Sequence, residues 1–266
     1  VFSTMSSLVD KNLIKLTAGG GDSRFQMLET IREYARVRLG ECGDPASAEE
    51  RFIAYYLRFS EKAEPYLYGQ EQNWWFNRIE EEYGNIRASL AWVNNHHRVE
   101  DGLRLASAMG WFWFRRARFS EGLHWLEMFY KAADDTTSPG PKAKTAYYIG
   151  WLKLCLSSVW GNPDGKRFFA ESLRLFRKTG NRRGIALSQV WLGWKEGDIE
   201  DEEGRRIADA SVATARETED SWAIAWCLKV AYSHLRRHDK TLDFRRKALE
   251  EAITLARETG DPFLLS

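Results

Sequence analysis

Apolar residues return every third or fourth position along most of this chain, the period of helices that bury one face. The exception lies near the N-terminus. Leu13-Ile14-Lys15-Leu16 is a short strand candidate, and Arg24-Phe25-Gln26-Met27 alternates polar and apolar. Gly19-Gly20-Gly21 stands between them, and two strands bridged by a glycine-rich connection predict a β-hairpin. Beyond it, Leu28, Ile31, Ala35 and Leu39 share one helical face, with Gly40 and Gly43 ending the helix. Residues 47–63 give a second helix, whose apolar side carries Ile53, Tyr56, Leu57 and Phe59. Pro65 and Gly69 interrupt the pattern. The spacing then predicts helices over 71–82 and 85–97, parted near Gly84, and a further pair over 100–117 and 120–133. The turn-rich segment DDTTSPGPK at 134–142 is the best candidate for a domain boundary.

An internal repeat follows. RKTGN at 177–181 recurs as RETED at 216–220 and RETGD at 257–261, at offsets of about 39 and 41 residues, in the range of helical solenoid units. Phe169-Leu173-Phe176, Ala208-Val212-Ala215 and Leu249-Ile253-Ala256 hold matching positions ahead of the three copies, and all three sets are expected to face inward. Gly180 and Gly260 fit helix ends, and Asn181 and Asp220 fit the caps of the helices that follow. AKTAYYIGWL at 143–152 resembles the first helix of a unit, with Gly150 matching Gly193. The expected fold is therefore mainly α: a solenoid of helix–turn–helix units behind one small hairpin. Pro262 suits a first helical position, yet the sequence stops at Ser266, and it starts at Val1 rather than methionine. Both ends are expected to be truncations of a longer chain.

Composition narrows the chemistry. With 44% hydrophobic and 14% aromatic residues among 266, a sizeable core is available, and twelve tryptophans need burial or a binding surface. A net charge of +1 gives no global field toward nucleic acid or acidic membranes. Cys42, Cys155 and Cys227 match no metal or disulfide framework, so free thiols in a reducing, cytoplasmic setting are expected. No apolar run approaches a membrane span, and no signal peptide is visible. The triple glycine is followed by Asp22 and Ser23 rather than by the Lys-Ser/Thr of a phosphate loop, so it is read as a turn and no enzyme activity is expected. No placed catalytic triad appears, and no cofactor or metal is expected. Adjacent His96 and His97 point in different directions on a helix and are read as helix-end residues. The acids Glu80-Glu81-Glu82 are read as solvated surface. The basic runs RRAR at 115–118 and RRHDK at 236–240 are short and balanced by acids, so direct nucleic-acid contact is not expected.

Two resemblances carry functional implications. Small residues at a helix contact, a neighbouring aromatic and an acid or Asn in the turn resemble the tetratricopeptide family, with WLGW at 191–194 as the nearest literal echo. The period exceeds that family's usual 34 and Tyr232 replaces a small residue, which leaves HEAT-like helical pairs as the alternative architecture. LVDKNLIKL, the hairpin and RFQMLETIREYARVRL closely resemble bacterial STAND-type regulators, the signal-transduction ATPases with numerous domains. EEEYGNIRASLAW at 80–92 and EGLHWLE at 121–127 resemble the spacer of that family. The resemblance implies the end of a winged helix over 1–43, a helical spacer over 44–135 and tetratricopeptide-like repeats over 136–266. It also implies a non-catalytic sensor arm that receives an inducer or protein partner and controls an ATPase core upstream of Val1. The alternatives are a nucleic-acid-binding piece of a transcriptional regulator and a passive scaffold. In the repeat reading the first helix of each unit lines a groove. Taking Gly150, Gly193 and Tyr232 as equivalent places Tyr147, Trp151, Trp194, Trp226, Lys229 and Arg236 in one strip suited to a peptide or an anionic small molecule.

Overall fold

A computed structural model describes residues 2–18, 23–42, 44–157, 163–193, 202–232 and 242–265. It comprises two compact units that divide between Ala54 and Tyr55. The first contains α1 (Phe2–Asp10), β1 (Ile14–Ala18), β2 (Ser23–Met27), α2 (Glu29–Cys42) and the start of α3 (Pro45–Ala63). The strands pair antiparallel from Ile14 opposite Met27 to Ala18 opposite Ser23, as the alternation predicts. Gly19–Gly21 lie outside the described residues. Helix α2 runs through Gly40 rather than ending there, and of its expected apolar face Leu28 and Leu39 are exposed.

The second unit begins within α3 and is helical throughout its described residues. A 3-10 turn at Glu64–Tyr68 answers the Pro65 and Gly69 signals. Then come α4 (Gln72–Asn95), α5 (Val99–Ala108), α6 (Gly110–Arg115), α7 (Phe119–Ala132) and α8 (Pro139–Leu156). After them come α9 (Pro163–Thr179), α10 (Arg182–Gly193), α11 (Glu202–Arg216), α12 (Ser221–Tyr232) and α13 (Leu242–Thr259). Two predicted boundaries move. Helix α4 passes unbroken through Gly84, because Ile79, Tyr83, Ile86 and Leu90 keep one buried stripe on both sides of it. The single helix expected over 100–117 is divided at Met109, where Gly110 passes against the Tyr148 ring.

From α8 onward the helices stack as antiparallel neighbours: α8 on α9, α9 on α10, α10 on α11, α11 on α12 and α12 on α13. This is the mainly α, solenoid-like architecture expected of the repeat. Its punctuation also matches. Gly180 and Gly260 adopt φ of 67° and 68°, the left-handed helix ending, and Glu219 takes φ 56° at the equivalent place in the middle copy. Asn181 Oδ1 accepts the Gly184 N–H at 2.8 Å and Asp220 Oδ1 accepts the Ala223 N–H at 3.0 Å, capping α10 and α12. A Cβ on Gly150 would lie 3.0 Å from the Gly165 carbonyl oxygen, and one on Gly193 would lie 2.8 Å from that of Gly204. The two glycines thus do the same job in successive units, letting paired backbones touch. Phe169, Leu173 and Phe176 of α9 and Ala208, Val212 and Ala215 of α11 are buried as the alignment requires. In the third copy Ile253 is 42% exposed. Ala256 is buried as the alignment requires, but Ala248 and Ala252 take the inward places expected of Leu249 and Ile253, so Ile253 is rotated out of the contact.

Candidate functional site

The inner helices α6, α8, α10 and α12 meet around a cluster of tryptophans. The rings of Trp151 and Trp191 lie 4.5 Å apart, those of Trp151 and Trp226 5.4 Å, and those of Trp111 and Trp226 5.8 Å. Three of the groove residues chosen from sequence, Tyr147, Trp151 and Trp226, are at most 6% exposed. Trp151 and Trp226 belong to this cluster, and their indole N–H groups find no acceptor among the described residues. Lys229 donates to the Phe263 and Leu264 carbonyl oxygens at 3.2 and 3.5 Å, and burial pulls its ammonium below the ordinary lysine range. Phe263 itself lies between the rings of Trp111, Phe114 and Trp226. Trp194 and Arg236 lie outside the described residues. The strip chosen from sequence is therefore packed against residues 263–264 at Trp226 and Lys229, while Tyr147 faces open space.

That space is a cavity of about 230 Å³. Its walls are Tyr147 and Tyr148 of α8, Phe176 of α9, Leu187 of α10, Trp111 of α6 and Trp222 of α12. Glu64 and Tyr68 enter from the 3-10 turn, Lys144 from α8 and Arg183 from the first turn of α10. A wider recess of about 540 Å³ shares Glu64, Tyr68, Arg183 and Trp222 and reaches Asp220 and Ser221. Two ion pairs border these spaces. Lys144 Nζ donates to Glu64 Oε2 at 2.6 Å, and Arg183 Nε donates to Asp220 Oδ2 at 2.7 Å. The Arg183 guanidinium lies 5.0 Å from the Tyr68 ring centre and 5.3 Å from that of Trp222. The Tyr68 and Tyr148 hydroxyls share a hydrogen bond of 2.5 Å, and burial raises the pKa of both phenols, so both carry their protons at neutral pH. The site thus offers flat apolar walls, two hydroxyls and both signs of charge, the mixture of apolar lining and few polar groups that binding pockets use.

Sequence reasoning reached Tyr147 through its helix face and missed Glu64, Tyr68, Arg183 and Trp222. Arg183 and Trp222 do carry a local signal: each sits two residues after a capping residue, Asn181 or Asp220, at the start of an inner helix. Asp220 serves twice, Oδ1 capping α12 and Oδ2 holding Arg183.

The other candidate groups resolve locally. His96 stacks on Trp92 at 3.8 Å and His97 follows at φ 54°, both exposed at the end of α4. Glu82, expected on the surface, is buried and accepts from Tyr56 and Asn85 at 2.8 and 2.9 Å, because it falls on the inward stripe of α4 beside Ile79 and Tyr83. Arg115 donates to Gln72, Arg116 pairs with Glu80, and Arg118 donates to Glu80 at 2.7 Å, so the RRAR run is engaged within the fold. RRHDK lies outside the described residues. No group of potential metal ligands occurs among the described residues, and none of the described helices is long and apolar enough to cross a membrane.

The chain aligns with three proteins named "Putative HTH-type transcriptional regulator", one from Mycobacterium bovis and two from strains of Mycobacterium tuberculosis. Each is 27% identical over 273 residues, an alignment that covers 99% of this chain and 30% of the relative. The chain therefore spans about a third of the length of the curated relatives it matches. No family model matches it, and no solved structure matches it.

Proposed function

We propose that this chain is the ligand-sensing arm of a bacterial transcriptional regulator of the STAND type. In this reading a small inducer enters the cavity between the 3-10 turn, α8, α10 and α12, and its binding is transmitted to a nucleotide-binding core elsewhere in the same polypeptide. The carrying observation is the cavity itself, built on the inner side of the solenoid from aromatic walls and two ion pairs. The similarity to the mycobacterial proteins along 99% of this chain supports a regulatory role. The order helix, hairpin, helix in residues 2–42 supports reading that stretch as the end of a winged helix, and the repeats as tetratricopeptide-like. The chain itself is read as non-catalytic.

The test uses the gene product that carries this chain, in a reporter-gene assay run across a panel of small metabolites. A metabolite that switches the reporter should lose its effect when Glu64→Gln and Lys144→Met are combined, with protein level and melting unchanged. A switching metabolite that acts equally on the variant would refute the cavity as the sensing site. The second reading, direct contact with nucleic acid, is favoured only by the name of the relatives. It predicts binding to duplex DNA that weakens steeply with salt.

A further inference from the structure

We infer that the ligand of this cavity is a small zwitterion, a free α-amino acid with a compact apolar or aromatic side chain. The inference rests on the sensor reading and concerns the chemistry of the same cavity.

Charge balance is the first argument. Among the described residues, the charged side chains bordering the cavity and its recess are Lys144, Arg183, Glu64 and Asp220, paired as Lys144 with Glu64 and Arg183 with Asp220. A purely anionic ligand drawing on Lys144 and Arg183 would leave two carboxylates half-buried without compensation. A cationic ligand would do the same to the two bases. Uncompensated charge in such surroundings is strongly unfavourable. A zwitterion exchanges partners instead of removing them: its carboxylate faces the bases while its ammonium faces Glu64 or Asp220, and the site stays neutral.

Geometry is the second. Arg183 meets Asp220 through Nε, and a guanidinium carries more N–H donors than that contact uses. The guanidinium lies beside the touching Tyr68 and Trp222 rings, 5.0 and 5.3 Å from their centres, so its remaining N–H groups can meet a carboxylate. The Tyr68 and Tyr148 hydroxyls lie near the guanidinium, both protonated; one O–H is spent on the bond between them, which leaves one to donate to a ligand. The third argument is size. The cavity of 230 Å³ equals about eight liquid-water volumes and falls below the roughly 300–1,000 Å³ of pockets for drug-sized molecules. That volume suits an amino acid whose side chain lies against Trp111, Tyr147 and Phe176.

Calorimetric titration of the 266-residue chain with L-phenylalanine and L-leucine tests this, with 3-phenylpropionate and phenethylamine as analogues lacking the amine or the carboxylate. The inference requires at least one of the two amino acids to bind at low-millimolar concentration or better, and each analogue to bind about tenfold or more weakly. Glu64→Gln should weaken the amino acid and strengthen 3-phenylpropionate, a reversal that general loss of structure cannot produce. Tyr148→Phe, which keeps the ring, should weaken both, with melting lowered by no more than the loss of one buried hydrogen bond. Failure of both amino acids to bind, or 3-phenylpropionate binding as well as phenylalanine to the wild type, overturns the inference. The latter result leaves the sensor reading standing, since that needs only some ligand in the cavity.

Discussion

Replacing Gly110 by alanine adds one methyl group, and the structure fixes where it goes. The new Cβ would lie 2.3 Å from Cγ and Cδ2 of Tyr148, where ordinary contact begins near 3.4 Å. The Tyr148 ring is 3% exposed and its hydroxyl is held by Tyr68, so it must move by roughly 1 Å inside a close-packed interior. Overpacking of this kind costs about 1–3 kcal/mol. Alanine returns at most about 1 kcal/mol through its better helix propensity. Gly110 is the first residue of α6, where that gain is smallest, so the net expectation is a loss of about 1–3 kcal/mol, which for a protein of this size lowers the melting temperature by about 2–12 °C. Gly84 provides the matched control. It lies inside α4 with nothing within 4 Å of its missing Cβ, so Gly84→Ala should raise stability by up to about 1 kcal/mol. Thermal and urea unfolding followed by far-ultraviolet circular dichroism reads both variants. If Gly110→Ala melts at or above the wild type, or the two variants shift alike, the close approach of α6 to α8 is not as described.

Two further outcomes follow from the same structure. Glu219→Gly should stabilise the chain by about 0.5–1 kcal/mol in urea melts, because Glu219 holds the left-handed φ of 56° that glycine supplies in the other two copies; an unchanged midpoint would refute this. Melting temperature should fall as pH rises above about 10: burial pushes Tyr83 up to about 12 and raises Tyr56, Tyr68, Tyr147, Tyr148 and Tyr232, while the unfolded chain ionises its tyrosines near 10, so the stability they contribute is whole below that pH and is lost through about 10 to 12 and beyond. A flat profile across that window would count against burial of these phenols.

The local grammar of the chain was readable, and its long-range meetings were not. The hairpin followed from alternation, and the repeat followed from Gly180, Gly260, Asn181 and Asp220, residues whose turn and cap roles depend only on their immediate neighbours. Gly150 and Gly193 could be matched because close helix approach admits no side chain. Gly84 misled for the opposite reason: an exposed glycine on the outer face of a well-patterned helix weakens it without ending it. Ile253 misled because apolar character alone does not say which of two adjacent positions the neighbouring helix will meet. The cavity needed information no single segment holds. Glu64 and Lys144 are 80 residues apart, as are Tyr68 and Tyr148, and Arg183 finds Asp220 across 37. Each looks like an ordinary surface or core residue until the stack brings them together.

The turn after α13 bears on how the second unit folds. Buried Asp261 accepts from Trp222 Nε1 at 2.7 Å and from Gln72 Nε2 at 3.2 Å, a partner 189 residues earlier, and Arg115 lies 3.5 Å away. An open stack of repeats touches only neighbours, so it nucleates anywhere and frays from its ends. Fastening the turn after α13 to α4 and α6 changes that regime. The end of α13 cannot come away without also unseating Phe263 from α6 and α12 and leaving a carboxylate and an indole N–H without partners. Folding must then close a very long loop before those contacts stabilise it, which raises contact order and slows the search. Across the described residues these contacts couple α13 to α4, α6 and α12, which works against independent fraying of α13 and toward a shared transition.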